Sequence, residues 1–160
     1  MSSGFEVSGG SKAAAFLREL RLNLDEADSV DIGFFPEDIH PKNNIPVASV
    51  AYMNEMGDPL NTFEGHSAPI PPRPFMRQTI AENVDQWGQA FYSGLKAVQY
   101  HSDPALKGLG SLIQMQIRNS IFNWSSPMNS PLTIKLKGFN DPLVETGFMA
   151  DHVKVKVHEK

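Results

Sequence analysis

The stretch that decides the fold is "RPFMRQTIAENVDQWGQAFYSGLKAV", residues 73–98. Its apolar residues recur every three or four positions, so they form a single stripe along one side of a helix. We therefore predict a long amphipathic helix that begins near Arg73 and packs this stripe against the rest of the protein. The stripe consists of Met76, Ile80, Val84, Trp87, Phe91, Leu95 and Val98.

A second helix is predicted directly after the first. Asp103 is a suitable N-cap, and Pro104 is favoured in a first helical turn. Because the joint between the helices is tight, we expect them to form an antiparallel pair. Gly108 and Gly110 weaken the second helix unless they allow another part of the chain to approach closely. The apolar stripe of this helix consists of Leu109, Ile113, Ile117 and Ile121.

Shorter elements precede the long helix. Apolar residues at helical spacing predict a helix over residues 11–25, capped by Ser11 and packed on one face. The alternating segment "SVDIGFF" at 29–35 predicts a strand. After a loop at 36–45, "PVASVAYMNEMG" predicts a short helix that ends where Gly57 adopts a left-handed conformation. A loop then follows, up to Pro72.

The C-terminal part predicts turns, a short helical turn at "ETGFMADH" and a half-buried final strand. In that strand Val153, Val155 and Val157 alternate with polar residues. Together the elements predict one α+β domain over residues 1–160. We expect a small, mostly antiparallel or mixed sheet packed against two long antiparallel helices and one N-terminal helix.

Composition indicates an ordinary globular chain. Of its 160 residues 41% are hydrophobic and 20% are charged. No run approaches the roughly 20 apolar residues that a membrane span requires, so no membrane association is predicted. The chain has no cysteine, and "MSSGFEVSGG" lacks the basic and apolar regions of a signal peptide. These features favour a reducing cytoplasm as the site of synthesis and folding.

Charge is distributed unevenly along the chain. Residues 25–64 contain nine acids and one base, Lys42, while the remainder is mildly basic and the net charge is −4. Such polarity suits complementary contact between copies or partners; the alternative is that the acids simply solvate a loop-rich face. The sequence shows no concentrated basic stripe of the kind that tight nucleic-acid binders carry.

Residues for catalysis or metal binding do not form a recognisable set. None of the five histidines pairs with another at zinc-site spacing, and neither a strained serine elbow nor a phosphate loop is present. We predict no catalytic residue, cofactor or metal. Two alternatives stay open: a small hydrolase using Glu64 and His66 or a carboxylate pair, and a DNA-binding accessory protein that depends on Arg73 or Arg77.

Three stretches together resemble a known family. "PVASVAYMNEMG" (46–57), "IPPRPFMRQTIAEN" (70–83) and "PLTIKLKGFNDPLVETGFM" (131–149) are similar, in order and spacing, to tail-component or tail-completion proteins of long-tailed bacteriophages and prophages, including minor tail protein Z-like ones. The matching motif residues are Asn54, Glu55 and Gly57; Arg73, Pro74 and Phe75; and Lys137, Gly138, Pro142, Leu143, Thr146 and Gly147.

The resemblance implies a structural role in the virion. Family members are compact α+β subunits that assemble into a ring at the head-proximal end of the tail and help to join tail and head. The implied partners are further copies of the chain, other tail and neck proteins, and DNA only in passage through the channel. The implied locations are the virion and, during assembly, the cytoplasm of the bacterial host.

A ring also makes physical demands on its subunit. Contact between the front of one copy and the back of the next closes a ring only if the two surfaces fit each other. The acidic region 25–64 and the more basic remainder are a candidate pair of surfaces. An acidic channel lining would also repel passing DNA.

Arg73 and Arg77 lie near the predicted start of the long helix, where cations oppose the helix dipole. We therefore expect them to pair with acids elsewhere, either Glu55 or the acidic region of a neighbour. Pro74 is expected to fix the start of this helix, and Phe75 or Met76 to anchor the corner in the core.

Overall fold

The structure is a computed structural model that describes residues 9–41, 44–59 and 69–160. Its helices are α1 (Gly10–Leu24), α2 (Val47–Met56), α3 (Phe75–Ala97), α4 (Ser102–Phe122), α5 (Pro131–Lys137) and α6 (Phe148–Asp151). Its strands are β1 (Ala27–Gly33), β2 (Ile39–His40), β3 (Ile45–Pro46) and β4 (Lys154–Glu159). The predicted α+β class is confirmed.

Helices α3 and α4 pack side by side in opposite directions. The Ser120 hydroxyl near the end of α4 donates to the Phe75 carbonyl at the start of α3, at 3.2 Å. Further along, Gln116 Nε2 donates to Asn83 Oδ1 at 2.9 Å. The predicted antiparallel pair is therefore confirmed. The residues that α4 buries are Ser102, Ala105, Leu106, Gly110, Ile113, Ile117 and Ile121.

Strands β1 and β4 form an antiparallel sheet in which Val30 lies opposite Val157 and Ile32 opposite Val155. Helix α4 packs on this sheet at Gly110, where an added Cβ would clash with the Val155 side chain. The close approach that the sequence left open is thus present at Gly110. At Gly108 nothing lies within 4 Å of such a Cβ.

Three short elements were not predicted. Strands β2 and β3 form a second antiparallel sheet that replaces part of the expected loop 36–45 and extends one residue beyond it, to Pro46. Helix α5 lies in the segment expected to be turns; Ser130 Oγ accepts from the Thr133 N–H at 3.1 Å, and Gly138 ends the helix with φ 81° and ψ −1°. Elements of two and seven residues are too short to show a clear periodicity in sequence.

The core lies where α2, α3, α4 and α6 meet. Its largest fully buried side chains are Phe75, Ile121, Val47 and Val153. The ring of Phe34 contacts that of Phe75 edge-on, with centroids 6.2 Å apart. Phe75 therefore anchors the start of α3 in the core, as predicted, while Met76 beside it is half-buried.

Helix α1 differs from its prediction. It begins at Gly10 with Gly9 as N-cap, and Ser11 does not cap it. None of its 15 residues is buried. Phe16 is 58% exposed and Leu17 is 61% exposed, so the face that was expected to pack faces solvent.

The packed face of α3 also differs from the predicted stripe. Ile80 and Val84 are almost half exposed, whereas Thr79 is buried beside Phe75. Hydrogen bonds also hold the packed face of α3 against α4: Trp87 Nε1 donates to Gln116 Oε1 at 2.8 Å. Met76 and Trp87 of the predicted stripe do pack against the core. Apolar periodicity missed the polar part of this face, which is hydrogen-bonded.

Helix α4 starts one residue before the predicted cap. Its N-cap is His101, and Asp103 lies in the first turn, where it accepts a hydrogen bond of 2.7 Å from Lys107 Nζ. An acid in the first turn is favourable because the N-terminal end of a helix is partially positive.

Candidate functional site

The corner between α2 and α3 is organised by Glu55, on the last turn of α2. Its Oε2 accepts a hydrogen bond from the Met76 N–H at 2.9 Å, and its Oε1 accepts one from the Arg77 N–H at 3.1 Å. Helix α3 has no capping side chain of its own, because its N-cap residue is Pro74. Glu55 therefore caps α3 from a different helix, with its negative charge at the positive end of the helix dipole.

Arg77 completes this arrangement. Its Nε donates to Glu55 Oε1 at 2.9 Å, and its Nη2 donates to the Glu55 carbonyl at 3.0 Å. The expectation that Arg77 pairs with Glu55 of the same subunit is met. One carboxylate thus binds two backbone donors and one guanidinium.

Arg73 is buried, with 6% of its surface exposed, and binds neutral acceptors. Its side chain donates to Asn54 Oδ1 at 3.2 Å, to Asn129 Oδ1 at 3.2 Å and to the Pro127 carbonyl at 3.3 Å. Among the described residues no carboxylate binds it, contrary to the expectation of an acidic partner. Burial lowers the pKa of Arg73 because the charged form loses hydration.

The loop after α2 is held at both ends. Asp58 and Ile70 exchange two backbone hydrogen bonds, of 2.9 and 2.8 Å, and the Arg73 N–H donates to the Asn54 carbonyl at 2.7 Å. Gly57 has the expected positive φ of 80°, but its ψ of 161° is extended rather than left-handed helical. A Cβ there would lie 2.9 Å from the Ile70 carbonyl oxygen, so this position requires glycine.

Glu64 and His66, one of the two residue sets named for the hydrolase alternative, lie outside the described residues. Within the described ranges, no group of three or more histidines and acids is placed to hold a metal ion.

The C-terminal motif folds around Lys137. Its Nζ donates to the carbonyls of Asp141 at 2.9 Å and Val144 at 2.5 Å, which closes the loop after α5. Gly147, with φ 81°, turns the chain into α6, and Thr146 Oγ1 accepts from the Phe148 N–H at 3.3 Å.

Burial also affects Lys137, whose pKa is lowered from its ordinary value chiefly by desolvation. The nearby Glu145 opposes this shift, and the positive charge of Arg73 adds to it. The two cations therefore share one poorly hydrated region, although they come from distant parts of the sequence.

That region is a cavity of about 320 Å³. Its lining includes residues of all three sequence motifs: Asn54; Arg73; and Lys137, Pro142, Leu143, Thr146 and Gly147. The structure thus brings together motif residues that are up to 93 positions apart in sequence, from Asn54 to Gly147. It does not bring Glu55, Gly57, Pro74, Phe75, Arg77 or Gly138 to this cavity.

The acidic region predicted as a contact surface is largely paired within the chain. At least five of its nine acids bind a base of the same chain. Three of these bases lie on β4 or directly after it. The pairs are Asp25 with Lys160, Glu26 with His101, Asp31 with His158, Asp38 with Lys154, and Glu55 with Arg77. This region is therefore less suited to charge pairing between copies than its sequence suggests.

Large apolar side chains are exposed on five of the described helices. They are Phe16, Leu17, Leu22 and Leu24 on α1; Tyr52 and Met56 on α2; Ile80, Val84 and Tyr92 on α3; Met115 and Phe122 on α4; and Leu132 and Leu136 on α5. Contiguous exposed apolar surface commonly marks a site of protein contact. Sequence periodicity revealed the apolar face of α1, but it could not show that nothing in the described chain covers it.

Comparisons of the chain with protein families, curated proteins and solved structures return no match. Of the helices in the described ranges, none combines the length and apolarity needed to cross a membrane.

Proposed function

We propose that this protein is a non-enzymatic virion assembly protein of a tailed bacteriophage. In this proposal it is a tail-completion or neck subunit that forms a ring at the head-proximal end of the tail and helps to join head and tail. Its partners are further copies of itself and other tail and neck proteins.

The observation that carries the proposal is the exposure of α1. Isolated helices of about 12–15 residues are marginal in water, and most helices in proteins gain their stability by packing an apolar face. Helix α1 has such a face, yet it buries no residue in the described chain. A subunit whose helix packs on another protein accounts for both facts.

The organisation of the α2–α3 corner supports the same proposal. Its charged side chains are engaged in holding the fold: Glu55 caps α3, and Arg73 joins α2 to the segment at 127–129. Arg73 is buried, and Arg77 binds Glu55, so this arginine pair favours a structural role over the contact with phosphate that the DNA-binding alternative requires.

The test is imaging of the purified full chain by negative-stain electron microscopy, alone and mixed with tails that lack this protein. Mass photometry of the same samples gives the number of subunits. We expect rings of uniform diameter, or rings on one end of each tail. A chain that stays monomeric and never associates with tails would contradict the proposal.

A further inference from the structure

Arg73 is a buried cation without a counter-charge in the described chain. It is 6% exposed, and its three hydrogen bonds go to neutral oxygens of Asn54, Pro127 and Asn129. Because a guanidinium has five N–H groups, Nη1 and Nη2 each keep one that forms none of these bonds. A buried charge without a partner of opposite sign is costly. The position therefore favours an added anion.

Further hydrogen-bond donors surround Arg73. Asn129 is also buried, and its Nδ2 has no hydrogen-bond partner in the part of the chain that the structure describes. Lys137 Nζ donates to the carbonyls of Asp141 and Val144, which uses two of its three N–H groups. This site therefore has more donors than acceptors.

The acids near Lys137 do not neutralise Arg73. Glu145 and Asp141 both raise the pKa of Lys137, so their charges act on that lysine. Both residues are exposed, and solvent screens charges at the surface. The pKa of Arg73 is lowered by burial, and no acid of the described chain offsets this shift. The charge that lacks a partner is thus that of Arg73.

The cavity beside these groups combines cations with apolar side chains. Its volume of about 320 Å³ is near the lower end of the range for small-molecule sites. Arg73, Asn129 and Lys137 line it. Its apolar lining includes Val50, Leu143 and Met149. A ligand that suits this cavity is small, negatively charged at one end and apolar at the other.

We propose that this cavity binds a small monocarboxylate. Its carboxylate group pairs with the Arg73 guanidinium, and its short apolar chain contacts Val50, Leu143 and Met149. A carboxylate matches the planar donor groups of a guanidinium. A phosphate dianion suits the cavity less, because burial of a second charge among apolar side chains adds to the cost.

The same chemistry is carried by a free carboxylic acid and by the C-terminal residue of a peptide. The inference goes beyond the proposed function and does not depend on ring assembly, because the residues that form the cavity belong to one chain.

Saturation-transfer NMR with the full chain tests the site. The probe is isocaproate, and isocaproamide is its matched control because it has the same shape without the charge. At neutral pH we expect the amide to bind at least about tenfold more weakly than the acid. Equal binding of the two probes, or no binding of isocaproate at about 10 mM, would overturn the proposal.

Substitutions locate the binding site within the chain. Val50→Phe should fill part of the cavity and weaken isocaproate binding at least about fivefold. Val84→Phe makes the same change at an exposed residue of α3 and should leave the affinity unchanged. Arg73→Lys keeps the charge without the planar fork, and a loss of at least about fivefold is expected.

Circular dichroism identifies the variants that fold. Unchanged affinity in folded Val50→Phe or folded Arg73→Lys would contradict this location. The comparison of acid and amide on the unaltered chain decides the proposal even if neither variant folds.

Two tripeptides that end in leucine identify the source of the carboxylate, one with a free C-terminus and one amidated. Tighter binding of the free-carboxylate peptide than of isocaproate assigns the site to the C-terminal residue of a protein. Binding of isocaproate without binding of this peptide assigns it to a free acid. Equal binding of the two peptides would count against a carboxylate site. Rings that form although isocaproate does not bind would leave the proposed function standing.

Discussion

Glu55 and Arg77 are joined at 2.9 Å, between Glu55 Oε1 and Arg77 Nε, while the same carboxylate accepts hydrogen bonds from the Met76 and Arg77 N–H groups in the first turn of α3. The last turn of α2 and the first turn of α3 are thereby locked together across a loop. The geometry explains how two arginines can lie near the positive end of a helix: Arg77 is neutralised by the group that caps the helix, and Arg73 is turned into the interior.

Replacing Glu55 should therefore destabilise the fold. Glu55→Ala removes one charge-assisted pair and leaves two N–H groups of α3 without their acceptor, which we expect to cost about 2–4 kcal/mol in the free energy of unfolding. Urea denaturation monitored by circular dichroism measures the loss. Glu37→Ala, at an exposed turn, should change the value by less than about 0.5 kcal/mol. Equal effects of the two changes would contradict the capping role.

The two glycines of α4 should respond to alanine in opposite directions. Gly110→Ala places a methyl group against Val155, and such overpacking costs roughly 1–3 kcal/mol. Gly108→Ala meets no atom within 4 Å and replaces a poor helix former, so it should stabilise by about 0.5–1 kcal/mol. Thermal unfolding of the two variants side by side gives the comparison. If Gly110→Ala were as stable as Gly108→Ala, the close contact between α4 and β4 would be wrong.

Lysine should not be able to replace Arg73 without a loss of stability. Arg73→Met leaves Asn54, Asn129 and the Pro127 carbonyl without their shared donor, and we expect a loss of roughly 3 kcal/mol. Arg73→Lys should recover less than half of this, because a single ammonium group cannot reproduce the planar fork of the guanidinium. Denaturant midpoints of the three proteins test the order. Full rescue by lysine would show that charge alone matters at this position.

Asp25 should titrate below its ordinary pKa of 3.8. Lys160 Nζ donates to Asp25 Oδ1 at 2.5 Å, and this hydrogen bond, together with the positive charge, lowers the Asp25 pKa. Since the folded pKa is the lower one, the pair's contribution to stability is present above pH 3.8 and is lost as the pH falls through the folded value.

NMR titration of the Asp25 carboxyl measures this shift. In Lys160→Gln the Asp25 pKa should rise towards 3.8, whereas Lys135→Gln, on the separate helix α5, should leave it in place. An unchanged Asp25 pKa in Lys160→Gln would mean that the pair does not persist in solution.

The sequence was most informative where periodicity and burial agree. Ile113, Ile117 and Ile121 of α4 are buried as their spacing predicts. On α3 the packed face instead includes Thr79 and Asn83, because their polar groups are satisfied by hydrogen bonds within the helix and to Gln116. Apolar spacing identifies a candidate face, but it cannot identify polar residues that find partners inside, nor which apolar faces stay uncovered.

At the site, the sequence predicted the local pair of Glu55 and Arg77 but not the distant pair of Arg73 and Asn129. Glu55 was a natural partner for Arg77, because both flank one loop. Asn129 lies 56 residues from Arg73, and nothing in the spacing of the chain indicates that they meet. Because the partners of buried Arg73 are neutral oxygens, no pattern of charges in the sequence could have predicted them.

The pairing of β1 with β4 has a consequence for synthesis. Ala27 lies opposite Glu159, so the sheet joins segments separated by most of the chain. While the polypeptide emerges from the ribosome, β1 therefore lacks the strand with which it pairs until residues 154–159 have been made. Distant pairings of this kind close slowly and leave nascent chains prone to mispairing. Folding of this sheet is thus tied to synthesis of residues 154–159, so a chain interrupted before β4 lacks the partner of β1.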